Sequence, residues 1–572
     1  MKKQWQILQP DIQSIEILCK SLKIHPAAAA VLVNREIVSP EKAGHFLNTC
    51  LTRLRPPFAI KDLKAAVRRI TVAVKNNEKI LIFGDYDVDG ITATAILLQF
   101  LRHIGADVSY YIPHRTKEGY GLHSHHIADF VLPQGINLII TVDCGSGSHE
   151  AVEAANAAGI DVIITDHHIL AGPLPRAVAV VNPKRRECTA GFDTLAGVGV
   201  AFYLLIALRK HLRDMHFWQN RAEPNLKKAC DLVALGTLAD MVPLVDENRI
   251  LAKTGLDIIN TGDRPGIKAL ILAMGIAQHS VDSNDVLFSL APMLNAAGRI
   301  DHASLAVELL TTDNPAEAAK ITGLLTRLND RRRHVENSIS DSIQAHLTRN
   351  PHLLQKQSLV LSGHDWHVGV LGIVAARIVQ TYFRPVVLLK TSDGYGIGSA
   401  RSIRGFDMVE GLRSCAKDLE SFGGHSMAAG LKIRSENIDH FRKNFENTVG
   451  RMTKPDDFIP KIIIDCKLDF NDISDVLIDE LESLQPFGTN NPEPVFMAAN
   501  LEVIAAQTVG RGHCRMQLKQ ALGPTQKTFG AIYFNAGKHA ASLKKLDKVA
   551  FRLRWNRWKE RKFPQIVVAD IK

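Results

Sequence analysis

The chain has 572 residues, too many for one hydrophobic core, which argues for about three or four domains. A hydrophobic share of 46% with 22% charged residues excludes a disordered or collagen-like class, and the net charge of +10 favours a polyanionic partner. Eight cysteines without a CxxC pair exclude a zinc finger or disulfide framework and fit a reducing, cytoplasmic setting.

The first residues, Met1 to Gln6, lack the apolar core of a signal peptide, and the best apolar run, 197 to 208, is too short to span a bilayer. Residues 1–60 read as an N-terminal helical segment, with short helices at 27–33 and 39–47, the second capped by Ser39 with Pro40 in its first turn. Lys61 to Asn77 reads as an amphipathic helix. From Ile80 to His168 the pattern is βαβα, with short apolar runs at 80–83, 108–112, 136–142 and 162–164. Such runs between helices predict a parallel sheet covered on both faces, with ligands at the carboxyl ends of the strands.

Several of these runs end in acid. The first leads into GDYDVDG (84–90), which presents Asp85, Asp87 and Asp89 between Gly84 and Gly90, two glycines suited to a tight turn before a helix. Another ends TVDCGSG (141–147) with Asp143, and a third ends TDHH (165–168) with Asp166, His167 and His168. An isolated acidic turn is often just a helix cap. Several carboxylates with two imidazoles in one α/β unit predict a metal site, because clustered negative charge is costly without a cation. Further on, Asp240 ends an apolar helix closed by Pro243 (ALGTLADMVPL, 234–244); it is either a structural hydrogen-bonding group or a further ligand.

Residues 313–352 form a charged helical connector carrying Arg331, Arg332 and Arg333, which reads either as a solvated face or as facing DNA. Residues 353–455 mix strands and helices around glycine-rich stretches, 396–401 and 423–425. These read as turns able to bring backbone N–H groups, the Ser399 hydroxyl and the Arg401 guanidinium to an anion. From 456 to 572 the pattern is strand-like. Phe551, Leu553 and Trp555 alternate with Arg552 and Arg554, and Trp558 follows, a pattern suited either to a barrel core or to stacked bases and paired phosphates.

Four motifs, GDYDVDG, TVDCGSG, TDHH and ALGTLADMVPL, in that order, resemble those of the DHH phosphoesterase superfamily, and the whole chain resembles its bacterial single-strand-specific exonucleases. PHRTKEGYGL (113–122), PMLNAAGR (292–299), GIGSARS (396–402), GGHSMAAG (423–430) and LQPFGTNNPEPVF (484–496) extend the resemblance over most of the chain. It implies an α/β fold: a parallel-sheet DHH domain (61–312), a long helical connector, a smaller α/β DHH-associated domain (353–455) and an OB-fold-like β-barrel (456–572). It implies a metal-dependent 5′→3′ exonuclease on single-stranded DNA, working in repair and recombination.

For the site, the resemblance implies two divalent ions, Mn²⁺ or Mg²⁺, held by Asp87, Asp89, Asp143, His167 and Asp240, with Asp143 as the bridge and Asp85 as an added ligand or a neighbouring acceptor. Asp143, His167 and His168 are the expected catalytic residues, and Asp166 orients a histidine. Arg115, Arg299, Ser399 and Arg401 hold the terminal phosphate, with Gly423, Gly424 and His425 facing the DNA. Where family members carry histidine four residues before Asp87, this chain has Phe83, so the first ion lacks a nitrogen ligand. The implied partners are single-stranded DNA, a single-strand-binding protein and a helicase; the implied state is a monomer off the membrane. Two other functions fit the same motifs: a phosphodiesterase on short oligonucleotides or cyclic dinucleotides, and a non-catalytic DNA-binding scaffold.

Overall fold

The computed structural model describes residues 3–170, 172–277, 280–510, 512–520, 527–536, 542–558 and 561–572; the side chain of Trp558 lies outside the described part. The N-terminal segment opens with a strand, β1 (Gln4–Ile7), rather than a helix, because its backbone pairs in parallel with a strand near residue 461. Helices Ile12–Leu22, Pro26–Val33 and Pro40–Leu47 follow, the last capped by the Ser39 side chain.

The first large sheet contains β2 (Ile80–Gly84), β3 (Val108–Tyr111), β4 (Leu138–Val142), β5 (Asp161–Thr165) and β6 (Ala179–Val181), all parallel, in the order β3-β2-β4-β5-β6. Both faces are covered. Ile80 and Ile82 pack with helices Val88–His103, Gly197–Asp214 and Cys230–Ala239, while Leu81 and Phe83 enter a second core with Val152 and Ala155 of helix His149–Ala157. The period of two along β2 therefore decides which layer each side chain enters. Gly84 and Gly90 do not adopt a left-handed backbone. Gly90 lies in the first turn of its helix, where a Cβ would come within 2.6 Å of the Asp85 carbonyl oxygen, so close approach, not turning, requires glycine there.

Helix Pro315–Arg349 is 35 residues long, about 52 Å at 1.5 Å per residue. Its Ala318, Ile321 and Leu325 join the core of the first lobe, around the parallel sheet, and its Ile339, Ile343 and Leu347 join the core of the second lobe. Arg332 is buried against Asn329 and Glu336, whereas Arg331 and Arg333 are exposed. The second lobe holds β7 (Leu359–Gly363), β8 (Val386–Ser392), β9 (Tyr395–Arg401), β10 (Leu419–His425) and β11 (Ala428–Arg434), ordered β10-β11-β9-β8-β7 with only β7 and β8 parallel. The glycine-rich stretches are thus strands, not turns. β9 pairs on both sides, so its backbone N–H groups serve the ladder and only side chains can reach an anion.

The last region contains β12 (Lys461–Ile464), β13 (Cys466–Lys467), β14 (Phe496–Val509), β15 (His513–Gln520), β16 (Thr528–Tyr533), β17 (Lys545–Trp558) and β18 (Arg561–Ile571). The ladder β14-β15-β16-β18-β17 returns to β14 and closes a five-stranded barrel. Phe551, Leu553 and Trp555 turn into its core, and Arg552 and Arg554 pair with Glu493 outside. The Trp555 indole also donates to Asp479, so these rings do not offer a stacking surface. Leu18, Val31 and Ala43 of the N-terminal helices share this core. Among the described residues no helix is long and apolar enough to cross a membrane.

Candidate metal and phosphate site

Parallel neighbours β2, β4 and β5 end at one edge of the sheet, which brings their terminal acids together. Asp85 follows β2. Asp87 caps the next helix, its Oδ1 accepting from the N–H groups of Asp89 and Gly90. Asp143 follows β4 in a left-handed conformation, φ 61°. Asp166, His167 and His168 follow β5, and Asp240 caps the C-terminus of helix Cys230–Ala239 beside them.

His167 is the hub. Its Nε2 lies 3.1 Å from Asp143 Oδ1, 3.5 Å from Asp240 Oδ2 and 3.8 Å from Asp89 Oδ2. Three sets of ligand atoms fall within 4.8 Å of one another: Asp85, Asp87 and Asp143; Asp89, His167 and Asp240; and Asp143, His167 and His168. Asp143 belongs to two of them. Asp166 stands outside these sets. Its Oδ1 accepts from His168 Nδ1 at 2.8 Å and from the backbone N–H groups of His167 and His168, and its Oδ2 accepts from Ser146 N.

The electrostatics call for cations. Burial, then neighbouring carboxylates, push Asp85, Asp143 and Asp240 far above the ordinary range, and Asp89 up to about 7. Burial, then His168, pulls His167 down to about 3, which leaves a neutral imidazole fit to donate a lone pair. Asp85 Oδ1, Asp143 Oδ1 and His167 Nε2 are buried without a hydrogen bond. Unpaired buried oxygens around a neutral imidazole are a donor set for divalent metal, and the residues present fit one. Burial alone would lower His168, but its bond to Asp166 and that carboxylate's charge override it and raise the ring to about 9.

Asp89 has a second task. Its two oxygens accept from the N–H groups of Gly197 and Val198, at 2.7 and 2.8 Å, where helix Gly197–Asp214 begins. Phe83 is wholly buried, stacked on Tyr111 with ring centroids 5.6 Å apart and 5.0 Å from His126, and supplies no donor. Across the cleft, the β10–β11 hairpin carries His425, whose ring stacks parallel to His168 at 6.2 Å. Gly423 and Gly424 precede it within β10 and serve the hairpin backbone.

Beside the acids lies an arginine pocket. Arg115 sits 4.7 Å over the Tyr86 ring. Arg299, from helix Ala291–Ile300, donates Nη1 to the Gly369 carbonyl oxygen at 3.2 Å. Arg401, from β9, donates Nη1 to Ser399 Oγ at 2.9 Å and to the Ala400 carbonyl at 2.8 Å. Among the described residues none of the three forms an ion pair. Burial, then mutual proximity, lowers Arg299 to about 9, and burial, then Arg115, lowers Arg401 to about 10. Crowded guanidiniums with no carboxylate in direct contact favour an anion between them.

Sequence reasoning missed Tyr120, although it lies inside the PHRTKEGYGL segment. Its hydroxyl donates to the Asp143 carbonyl and meets His168 Nδ1, both at 3.0 Å, bracing both residues. Asn182, whose amide donates to Ser146 Oγ and to the His168 carbonyl, carried no motif to betray it.

Three family models match the chain: the DHH family N-terminal domain at 79–237, the DHHA1 domain at 355–451 and the RecJ OB domain at 464–570. The chain is 35% identical over 573 residues to the single-stranded-DNA-specific exonuclease RecJ of Bacillus subtilis (strain 168), covering 100% of itself and 71% of that protein. It is 37% identical over 547 residues to the RecJ of Salmonella typhimurium, covering 93% of each. It is similar to the crystal structure of RecJ in complex with Mn²⁺ from Thermus thermophilus, with TM-score 0.84 and 29% identity over 100% of this chain and 79% of that one. The structure of that protein with Mg²⁺ gives TM-score 0.77 at 28% identity, over 100% of this chain and 78% of that one.

Proposed function

Because the chain belongs to the RecJ family of single-stranded-DNA-specific exonucleases, we propose that it removes nucleotides from the 5′ end of single strands, using the acid and imidazole cluster for the cut and the arginine pocket for the end. The chain is an exodeoxyribonuclease that depends on Mn²⁺ or Mg²⁺.

Asp85, Asp87, Asp89, Asp143, His167 and Asp240 would hold the cations. Bound there, divalent cations neutralise the scissile phosphate and lower the pKa of water. Asp143 offers oxygen to more than one ligand set and ties them together. Asp166 fixes His168 through Nδ1, which leaves Nε2 as the ring's donor for a substrate phosphate. Tyr120 holds the Asp143 carbonyl and, with it, the turn that presents the carboxylate.

The observation that carries the polarity is the unpaired trio Arg115, Arg299 and Arg401 with Ser399. A pocket where three guanidiniums crowd without a direct ion pair, beside the acids, suits a terminal phosphate, and a strand so anchored presents its next phosphodiester to the acids. Repair and recombination follow from the substrate, since single strands arise where a duplex is opened; a helicase and a single-strand-binding protein are the partners that such a supply implies.

The test is digestion of strands labelled at either end, with Mn²⁺ or Mg²⁺. Mononucleotides are expected first from the 5′ label, with duplex spared. Release from the 3′ end alone, or equal attack on duplex, overturns the proposal. Confinement of activity to the shortest oligonucleotides in a length series also overturns it.

A further inference from the structure

Helix Val368–Tyr382 of the second lobe carries Gly369 and Gly372 in its first two turns. Glycine inside a helix destabilises it relative to alanine, so each position needs a local reason. At Gly369 the reason is backbone: a Cβ there would collide with the Arg299 carbonyl oxygen and press on the contact between the lobes. At Gly372 the reason differs. A Cβ would stand 2.5 Å from Arg401 Nη2, 3.2 Å from Arg401 Cζ and 3.1 Å from Ser399 Oγ. These three nearest atoms all belong to side chains, in contrast to the backbone oxygen met at Gly369.

We propose that Gly372 is a specificity-determining position, whose missing side chain leaves the Arg401 guanidinium and the Ser399 hydroxyl placed to read a 5′-terminal phosphate. The proposal rests on the reading of the arginine pocket given above. Arg401 is held in place by Nη1, which donates to Ser399 Oγ and to the Ala400 carbonyl. Its opposite edge lies against Gly372. A methyl group there has one inexpensive outlet, which is to swing the far end of the arginine. The fold tolerates that movement. A planar donor fork does not, because paired hydrogen bonds to phosphate depend on its orientation. Alanine at 372 therefore favours the helix and harms the ligand site, so stability and end recognition move in opposite directions.

The test compares Gly372→Ala with the parent on short oligothymidylates bearing either a 5′-phosphate or a 5′-hydroxyl. The ratio of kcat/KM for the two ends is expected to fall roughly tenfold, the loss of one charge-assisted hydrogen bond, with the change in KM for the phosphorylated strand. Binding of the same oligonucleotides in EDTA is expected to lose the same preference, and the thermal midpoint is expected to hold or rise. Gly323→Ala, in the connector helix, is the control, since its Cβ would meet only Arg327 Nη1 at 3.9 Å; its ratio is expected to match the parent's. A Gly372→Ala variant that discriminates as the parent does overturns the role of Gly372 alone. So does a variant that loses stability and both substrates equally. A parent indifferent to the terminal phosphate overturns the arginine-pocket reading and this inference with it.

Discussion

Asp143 combines a left-handed backbone, a buried carboxylate and a place in two sets of ligand atoms. Asp143→Ala is expected to cut the rate by roughly three orders of magnitude or more, while DNA affinity, which the proposal assigns to arginines elsewhere, is expected largely to persist. End-labelled digestion and binding in chelator separate the two. The same carboxylate burdens the metal-free fold. Its pKa is raised on folding, so the native state holds its proton more tightly than the unfolded chain does. Stability from this group therefore falls as pH rises above the ordinary value of 3.8, and the penalty is complete only above the raised folded-state value. In EDTA, Asp143→Ala is expected to gain more thermal stability relative to the parent at pH 8 than at pH 4. The acids were legible because they close apolar runs, and the histidines because they follow one. Tyr120 was not, since a tyrosine in a polar loop looks the same whether or not its hydroxyl finds a carbonyl; nor was the double duty of Asp89, which depends on a helix start 108 and 109 residues away.

Three helices hold the acids against the sheet: Val88–His103, Gly197–Asp214 and Cys230–Ala239. They meet at Gly236, where a Cβ would strike Thr92 Oγ1 and come within 2.8 Å of Val198 Cγ1 and 2.9 Å of Asp89 Oδ1. Overpacking of this kind costs about 1–3 kcal/mol. Gly236→Ala is therefore expected to lower the thermal midpoint and to weaken Mn²⁺ binding together, because the displaced carboxylate belongs to the ligand set; calorimetric titration of Mn²⁺ reads the second effect. If metal affinity holds while stability drops, the link from this packing point to the site is wrong. At this scale the βαβ alternation and the long connector were plain from apolar periodicity. The stretches 396–401 and 423–425 misled, because glycine is read as a turn when no partner strand is known. In β9 and β10 the neighbours exist, and Gly398 is needed because a Cβ there would stand 2.5 Å from the Leu388 carbonyl oxygen.

The chain closes on itself through Arg249. Its guanidinium is almost wholly buried and lies 3.6 Å over the ring of Phe46. It donates to the carbonyls of Phe46, Leu484 and Gln485 at 2.8, 2.9 and 3.0 Å, and burial lowers it to about 9. The N-terminal helices, the catalytic lobe and the barrel region thus meet on one side chain, whose carbonyl partners, Ser483 among them, lie 203, 234, 235 and 236 residues away. No periodicity reports such a contact, which is why residues 1–60 read as a separate segment although their apolar side chains complete the barrel core. Arg249→Met keeps the volume and the contact with Phe46 but removes every donor. The stranded carbonyls are expected to cost about 3 kcal/mol in all, since each buried acceptor left unpaired carries a penalty of order 1–3 kcal/mol and some regain water. The loss falls on the junction rather than on either core. Denaturant unfolding is expected to split when it is followed by residual nuclease activity and by the fluorescence of Trp5 and Trp555 in a background where Trp218, Trp366 and Trp558 are replaced by phenylalanine. The barrel signal should move first, with activity on short strands persisting after activity on long strands has gone. Coincident transitions in the variant would mean that the lobes are coupled by some route other than this arginine.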